Sequence, residues 1–355
     1  MAASSSSLSS PPSTPINPIH PDMVGRLDPR FVEYYNKILA HKVATHQVPL
    51  AEVRANPAAW ARPWIQDDNP NTKDWTVPST EGAFVVRVYH PDASTAGPGP
   101  YPVHINFHGG GWVFGDLTSD AAICRQLRNR LPIVVVDVDY RLCPEFPFGR
   151  NVEDAWEAFE WVRANAAALH VRPDRVSIGG TSAGGLLAVV VQHRARDAGL
   201  PLRLLVATVP ALAPDDHARH ERAEDSAWAS VRAMRHTALL DWDRMHYLAR
   251  VALPPAPAAE WAARQKHVPA WWVAPLEAPR WDGLCATFLA TAECDILRDE
   301  GEAYGRQLVA AGNKVTMRRY LGVPHSFMQM TAVLPQSTQY LDDVVEALCT
   351  AHEVE

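Results

Sequence analysis

Two glycine-rich segments carry residue types suited to acyl transfer. The first is Gly180-Thr181-Ser182-Ala183-Gly184-Gly185, a G-x-S-x-G sequence between a short Val/Ile-containing run and a longer apolar run. A strand that turns sharply into a helix forces the serine into a strained backbone conformation and lifts its hydroxyl above the sheet edge. Glycine is needed on either side because a Cβ would collide there. The helix starting at Ala183 aims its N-terminal N–H groups and positive dipole end at the same point. The second segment is His108-Gly109-Gly110-Gly111-Trp112, directly after Val103–Phe107. Three glycines leave a bare backbone whose N–H groups can approach a substrate oxygen and stabilise the charge that acyl transfer builds there. A phosphate cradle would want a following Gly-Lys-Ser/Thr, which is absent.

A serine nucleophile needs a base, and the base an orienting acid, in the chain order Ser, Asp/Glu, His for this kind of turn. The run Ala286–Ala292 leads into Glu293-Cys294-Asp295. Asp295 is the expected acid, with Glu293 as its rival; Asp299 and Glu300 are assigned to the next helix as structural residues. Val315–Tyr320 leads through Leu321-Gly322-Val323-Pro324 into His325, the expected base. The other histidines after Ser182 (His193, His217, His220, His236, His246, His267 and His352) lie on the helix after the serine, before Asp295, or near the C-terminus.

The elements that must position these residues follow from periodicity. Ala83–Tyr89, Val103–Phe107, Ile133–Tyr140, Arg175–Ile178, Leu202–Val209, Ala286–Ala292 and Val315–Tyr320 read as strands. Val152–Asn165, Ala183–Arg196, Leu297–Ala311 and Ser337–Ala351 read as helices between or after them. Alternation of this kind implies crossover connections and a mostly parallel sheet flanked by helices, an α/β fold. Pro214–Gly283 breaks the alternation: it has amphipathic pieces such as Trp242–Val251 but no convincing strand, and reads as a helical insertion. Residues 1–22, rich in Ser and Pro, read as a disordered tail. Order is expected from Asp28-Pro29, a capping residue followed by proline at the first helical position. A short helix is expected over Leu50–Ala55, and Asn56–Pro78 reads as irregular. The expected organisation is a tail over 1–22, an N-terminal cap segment over 23–79, a core over 80–213 and 282–355, and an inserted cap over 214–281.

Composition excludes several functions. The 355 residues carry 33 Lys+Arg against 40 Asp+Glu, a net charge of −7, with no long basic run. Nucleic acid is therefore not an expected partner. No apolar run reaches the roughly 18–20 residues that span a bilayer. The five cysteines, Cys124, Cys143, Cys285, Cys294 and Cys349, are scattered with no C-x-x-C pair. They suggest neither a disulfide framework nor a zinc site, and no metal or other cofactor is expected. The N-terminus has no charged-then-apolar leader pattern, so the expected compartment is the reducing cytoplasm. Of 12 Trp, six lie in the insertion (Trp228, Trp242, Trp261, Trp271, Trp272, Trp281) and three before residue 80 (Trp60, Trp64, Trp75). They would either wall an aromatic pocket or build the cap's own packing; the second is favoured because Trp buries a large area per residue.

Taken together, His108–Trp112, Gly180–Gly185, Asp295-Ile296-Leu297-Arg298-Asp299-Glu300-Gly301 and His325-Ser326-Phe327 resemble the hormone-sensitive-lipase-like (family IV) esterases of the α/β-hydrolase fold. Asp139-Tyr140-Arg141-Leu142-Cys143-Pro144-Glu145 is similar to that family's tyrosine–arginine–leucine–alanine–proline–glutamate segment. The likeness runs from about residue 80 to the C-terminus. It implies Ser182 as nucleophile, His325 as base and Asp295 as acid. It implies oxyanion donors on the backbone of Gly110, Gly111 and Ala183, supported by His108 and Gly109. It also implies a cap built from the N-terminal helices and a helical insertion. Thr181, Ile296 and Cys143 depart from the family's usual Asp, Pro and Ala, and Thr181 neighbours the nucleophile.

The function expected is hydrolysis of carboxylic esters of small to medium soluble substrates through an acyl-enzyme. The partner is a small-molecule ester, and the chain is a monomer or homodimer. A biosynthetic acyltransferase or amide hydrolase would share the same triad, and a small-molecule receptor on this fold would lack a working histidine.

Overall fold

The computed structural model describes residues 14–56, 71–255 and 268–354. Eight strands form one sheet: β1 Thr72–Ser79, β2 Gly82–Tyr89, β3 Tyr101–Phe107, β4 Val134–Asp139, β5 Val171–Thr181, β6 Leu204–Thr208, β7 Ala286–Cys294 and β8 Val315–Pro324. Their order is β1-β2-β4-β3-β5-β6-β7-β8. The β1–β2 and β2–β4 pairings are antiparallel and the rest parallel. Every residue of β3 and β6 is buried, as Val/Ile/Leu-rich strands covered on both faces must be. The mostly parallel α/β sheet expected from alternation is the one found, and it is the α/β-hydrolase fold that the resemblance implies.

The principal helices are α1 Pro29–Ile38, α2 Leu50–Ala55, α3 Ala121–Arg130, α4 Arg150–Ala164, α5 Ala183–Asp197, α6 Trp242–Ala252, α7 Arg298–Ala310 and α8 Pro335–His352. Helix α1 starts as its sequence dictates: the Asp28 carboxylate accepts from Arg30 N, and Pro29 takes the first turn. Helix α5 is buried nearly throughout and packs on β5 and β6. The described part of the insertion, 214–255 and 268–281, contains short helices and no strand.

Three features differ from the sequence expectation. Strand β1 occupies part of the stretch read as irregular. It is an edge strand, mostly exposed and containing Pro78, so it lacks an apolar alternation. Helix α3 has only a thin apolar stripe, Ala121, Ile123, Cys124 and Leu127, among polar residues. The expected tail is too long: residues 1–13 lie outside the described residues, but the chain packs from about Ile16. The N–H groups of Ile16 and Asn17 donate to Ala40 O at 2.8 and 2.7 Å. Ile19, Met23 and Leu27, spaced four apart, are buried. The remainder of Asn56–Pro78, residues 57–70, lies outside the described residues.

A buried ionic cluster ties the loop after β4 to the rest of the core. Asp154, fully buried on α4, accepts from Arg141 N (2.9 Å), Arg141 Nη2 (2.6 Å) and Arg150 Nε (3.1 Å). Arg141 also donates to Glu81 O and Ser79 Oγ, which fixes the β1–β2 turn against the same loop. Breaking a buried pair from one side leaves an uncompensated charge, at a cost of about 3–5 kcal/mol. Asp154→Ala is therefore expected to lower the unfolding free energy by about that amount. Urea denaturation measures it, and a loss below about 1 kcal/mol, the scale of an exposed pair, would show that the cluster is not structural.

Candidate active site

The glycine–serine segment forms the turn between β5 and α5. Ser182 has φ 56° and ψ −116°, a conformation that a residue with a Cβ adopts only when its surroundings impose it. Ser182 N donates to Thr208 O at 2.9 Å, and Ser182 O accepts from Ala211 N at 3.1 Å, so β6 and its exit loop hold the turn. The flanking glycines are required by contact. A Cβ on Gly180 would lie 2.3 Å from the carbonyl of Gly184, and one on Gly184 would lie 2.0 Å from Phe107 O. Ser182 is 8% exposed.

Parallel register brings the other segments to the same end of the sheet. Phe107 pairs with Gly180 across β3 and β5, so the His108 loop emerges beside the Ser182 turn. Cys294 pairs with Pro324 across β7 and β8, so the next residues, Asp295 and His325, emerge side by side. His325 Nδ1 and Asp295 Oδ2 are 2.8 Å apart. Asp295 is fully buried, and its other oxygen accepts from Leu297 N at 3.0 Å. The rival Glu293 turns elsewhere and accepts from Gly322 N at 2.7 Å. Asp299 accepts from Ser230 N.

The glycine loop is bent by consecutive positive φ angles: 131° at Gly110, 63° at Gly111 and 62° at Trp112. A Cβ on Gly110 would lie 2.0 Å from Phe114 O. Among the described residues, the Gly110 and Gly111 N–H groups donate to no protein acceptor. Gly109, Gly110, Gly111, Thr181, Ser182 and His325 line one cavity of about 440 Å³. Asp295 stands behind His325. His108 is fully buried, and its Nδ1 hydrogen-bonds Gly109 O at 2.8 Å.

Several residues that support this geometry were not legible as such. Tyr140 stacks on the His108 ring (centroids 4.2 Å apart, planes at 14°) and donates its hydroxyl to His108 O at 2.7 Å. Burial pushes the Tyr140 phenol well above its ordinary range, so it remains a donor. Cys143 N donates to Trp112 O, and Arg54 on α2 donates Nε and Nη2 to Val113 O (3.0 and 2.7 Å). Glu300, expected to be structural, accepts from Leu212 N at 2.7 Å and meets His217 Nε2 at 2.9 Å, both side chains fully buried. Burial opposes the charged His217 ring, but the charge and hydrogen bond of Glu300 outweigh it and raise its pKa. The Tyr140–Arg141 segment was visible as part of a family motif; the His217 partner left no local signal.

None of the described cap tryptophans lines the cavity. Among the described lining residues Phe114 is the sole aromatic. Trp271 and Trp281 pack on His193, and Arg194 lies over Trp272 at 4.9 Å, so these rings bind the insertion to α5; Arg194 also lies over Trp156 of α4 at 4.5 Å. Trp60, Trp64 and Trp261 lie outside the described residues. No helix among the described residues is long and apolar enough to cross a membrane.

A family model described as the alpha/beta hydrolase fold matches residues 104–329. The chain is 31% identical over 352 residues to an AB hydrolase superfamily protein of Schizosaccharomyces pombe, covering 95% of this chain and 97% of that one. It is 33% identical over 306 residues to the carboxylic ester hydrolase LipN of Mycobacterium tuberculosis, covering 84% and 74%. An esterase of Pyrobaculum calidifontis superposes with a TM-score of 0.75 at 27% identity, over 91% of this chain and 98% of that one. The chain belongs to the α/β hydrolases and, within them, to the hormone-sensitive-lipase-like esterases.

Tyr140→Phe keeps the ring stack and removes only the hydroxyl donor to His108 O. Loosened donors in a reacting site cost rate rather than substrate binding, so kcat on a simple ester is expected to fall about tenfold with KM little changed. Steady-state kinetics test this, and an unchanged kcat would show that the hydroxyl does not position the glycine loop.

Proposed function

We propose that this carboxylic-ester hydrolase works through an acyl-enzyme on Ser182. The observation that carries the reading is the 2.8 Å contact of His325 Nδ1 with Asp295 Oδ2, with His325 and Ser182 on the wall of one cavity. Asp295 holds the His325 ring with Nδ1–H toward it, leaving Nε2 free to take the Ser182 proton. Ser182 Oγ attacks the ester carbonyl. The oxyanion that forms is stabilised by the N–H groups of Gly110, Gly111 and Ala183, each such donor contributing roughly 10²–10³ in rate. His325 returns the proton to the departing alcohol. Water, deprotonated by the same ring, then attacks the acyl-enzyme and regenerates Ser182.

The N-terminal segment and the insertion form the cap in this reading. Thr45, Val53 and Arg54 from the first, and Leu239, Leu240, Arg244 and Leu248 from the second, line the cavity over Ser182. A volume of about 440 Å³ suits small to medium esters.

The test is hydrolysis of p-nitrophenyl butyrate by wild type, Ser182→Ala and Asp295→Asn. Ser182→Ala is expected to lose at least about 10³-fold in kcat, and Asp295→Asn about 10²–10⁴-fold. A fluorophosphonate probe is expected to label wild type and not Ser182→Ala. Equal turnover by wild type and Ser182→Ala would sink the reading.

A further inference from the structure

Two guanidinium groups line the cavity at Ser182, and the acyl-transfer chemistry uses neither. Arg54 is occupied: it meets Glu145 at 2.6 Å and donates to the carbonyls of Val113 and Cys143. Arg244, in the first turn of α6, is not. Its Nη1 donates to Leu239 O at 2.6 Å, but its Nε is buried without a partner, and it forms no ion pair among the described residues. Burial pulls its pKa below the ordinary value, which measures the cost of holding a cation there. A guanidinium nevertheless keeps its charge in a protein. A guanidinium on the wall of a substrate cavity, in contact with no carboxylate among the described residues, favours an anion in that cavity.

A second observation points the same way. Arg244, Thr45 and Leu239 also line a neighbouring cavity of about 260 Å³ between the N-terminal segment and the insertion. Thr45 Oγ1 and His46 Nδ1, at this boundary, are likewise buried without a hydrogen-bond partner. Arg244 Nε and the Thr45 hydroxyl are donors set just behind the walls of both cavities, so a ligand meets them only when those walls give way. Two carboxylates stand nearby, and the charge of Asp241 favours the Arg244 cation although the two side chains form no ion pair. Asp116 accepts from Thr118 N and Oγ1 (2.7 and 2.5 Å), and Asp241 accepts the Arg244 backbone N–H at 2.9 Å.

We propose that Arg244, with Thr45, forms an anion subsite in the substrate cavity, so that the preferred ester carries a carboxylate remote from the scissile bond. Carboxylate is the chemistry the planar guanidinium fork matches best. The inference rests on the Ser182 reading and adds the substrate class to it.

The experiment uses two matched pairs, one for each side of the ester. Mono-p-nitrophenyl adipate against p-nitrophenyl hexanoate places the carboxylate on the acyl side. 4-Acetoxybenzoate against methyl 4-acetoxybenzoate places it on the alcohol side. In at least one pair, the anionic-to-neutral ratio of kcat/KM is expected to fall roughly 10–100-fold from wild type to Arg244→Gln, with Arg244→Lys between them. Fluorophosphonate labelling of Ser182 reports that each variant is folded. An unchanged ratio in both pairs overturns the proposal. Should Arg244→Gln not fold, wild type decides: adipate must compete at least about tenfold better than 1,6-hexanediol against p-nitrophenyl hexanoate, and equal competition overturns the subsite. Failure of the Ser182 reading looks different, as neutral esters would then be turned over equally by Ser182→Ala.

Discussion

The site depends on a close approach of backbone to backbone. Helix α5 meets the end of β3 so tightly that a Cβ on Gly184 would sit 2.0 Å from Phe107 O, and Gly180 has equally little room against Gly184. No side chain fits at either position, so the strand–turn–helix closes only with glycine there. That closure gives Ser182 its φ of 56° and sets the His108 loop beside it. The strain at Ser182 is held by neighbours rather than by the turn itself: Thr208 O takes its N–H, and Ala211 N binds its carbonyl.

The remaining loops are fastened to this point and to one another. The loop after β6 that binds Ser182 O also gives Leu212 N to Glu300, on the helix that follows Asp295. The loop after β8 that carries His325 is pinned by Gln329 Nε2 to Asp120 Oδ1 at 2.9 Å, at the head of α3. The glycine loop rests on Tyr140 below and Arg54 above. Each loop starts from a strand fixed by register and is held by polar contacts to a neighbouring element. Reacting groups held this way need little reorganisation, which is where catalysis by fixed dipoles and hydrogen bonds gets its advantage over water.

Much of this was readable in the chain because strand order and loop order coincide. A residue that directly follows a buried strand must emerge at its carboxyl end, so Ser182, Asp295 and His325 could be placed together before any coordinates. The sequence left Glu293 as a rival to Asp295; the structure extends β7 through Glu293, whose carboxylate accepts from Gly322 N while Asp295 meets His325. What escaped the sequence were elements without an apolar period and partners far apart in the chain. Strand β1 is an edge with Pro78, α3 shows five apolar residues in ten with no helical period among the last six, and Ile19, Met23 and Leu27 are diluted by prolines and polar residues. The His217–Glu300 pair and the Tyr140–His108 stack join residues whose spacing says nothing local.

The tryptophans show where composition misleads about specificity. Their concentration in the insertion suggested either an aromatic pocket or a self-packed cap. Of the described ones, Trp271, Trp272 and Trp281 lie against His193 and Arg194 of α5, while Trp242 packs inside the insertion on His217 and His246. The wall they leave to the substrate is made of Thr45, Val53, Leu239, Leu240 and Leu248, with Arg54 and Arg244 set into it. An aliphatic wall ranks substrates mainly by size, at a few kcal/mol or less per methylene. A cation that a bound substrate seals from water discriminates more sharply, because a substrate that leaves it unpaired forfeits its desolvation cost as well as the contact. On the proposed reading, selectivity resides less in the abundant aromatic residues than in Arg244, the guanidinium of this cavity that forms no ion pair among the described residues.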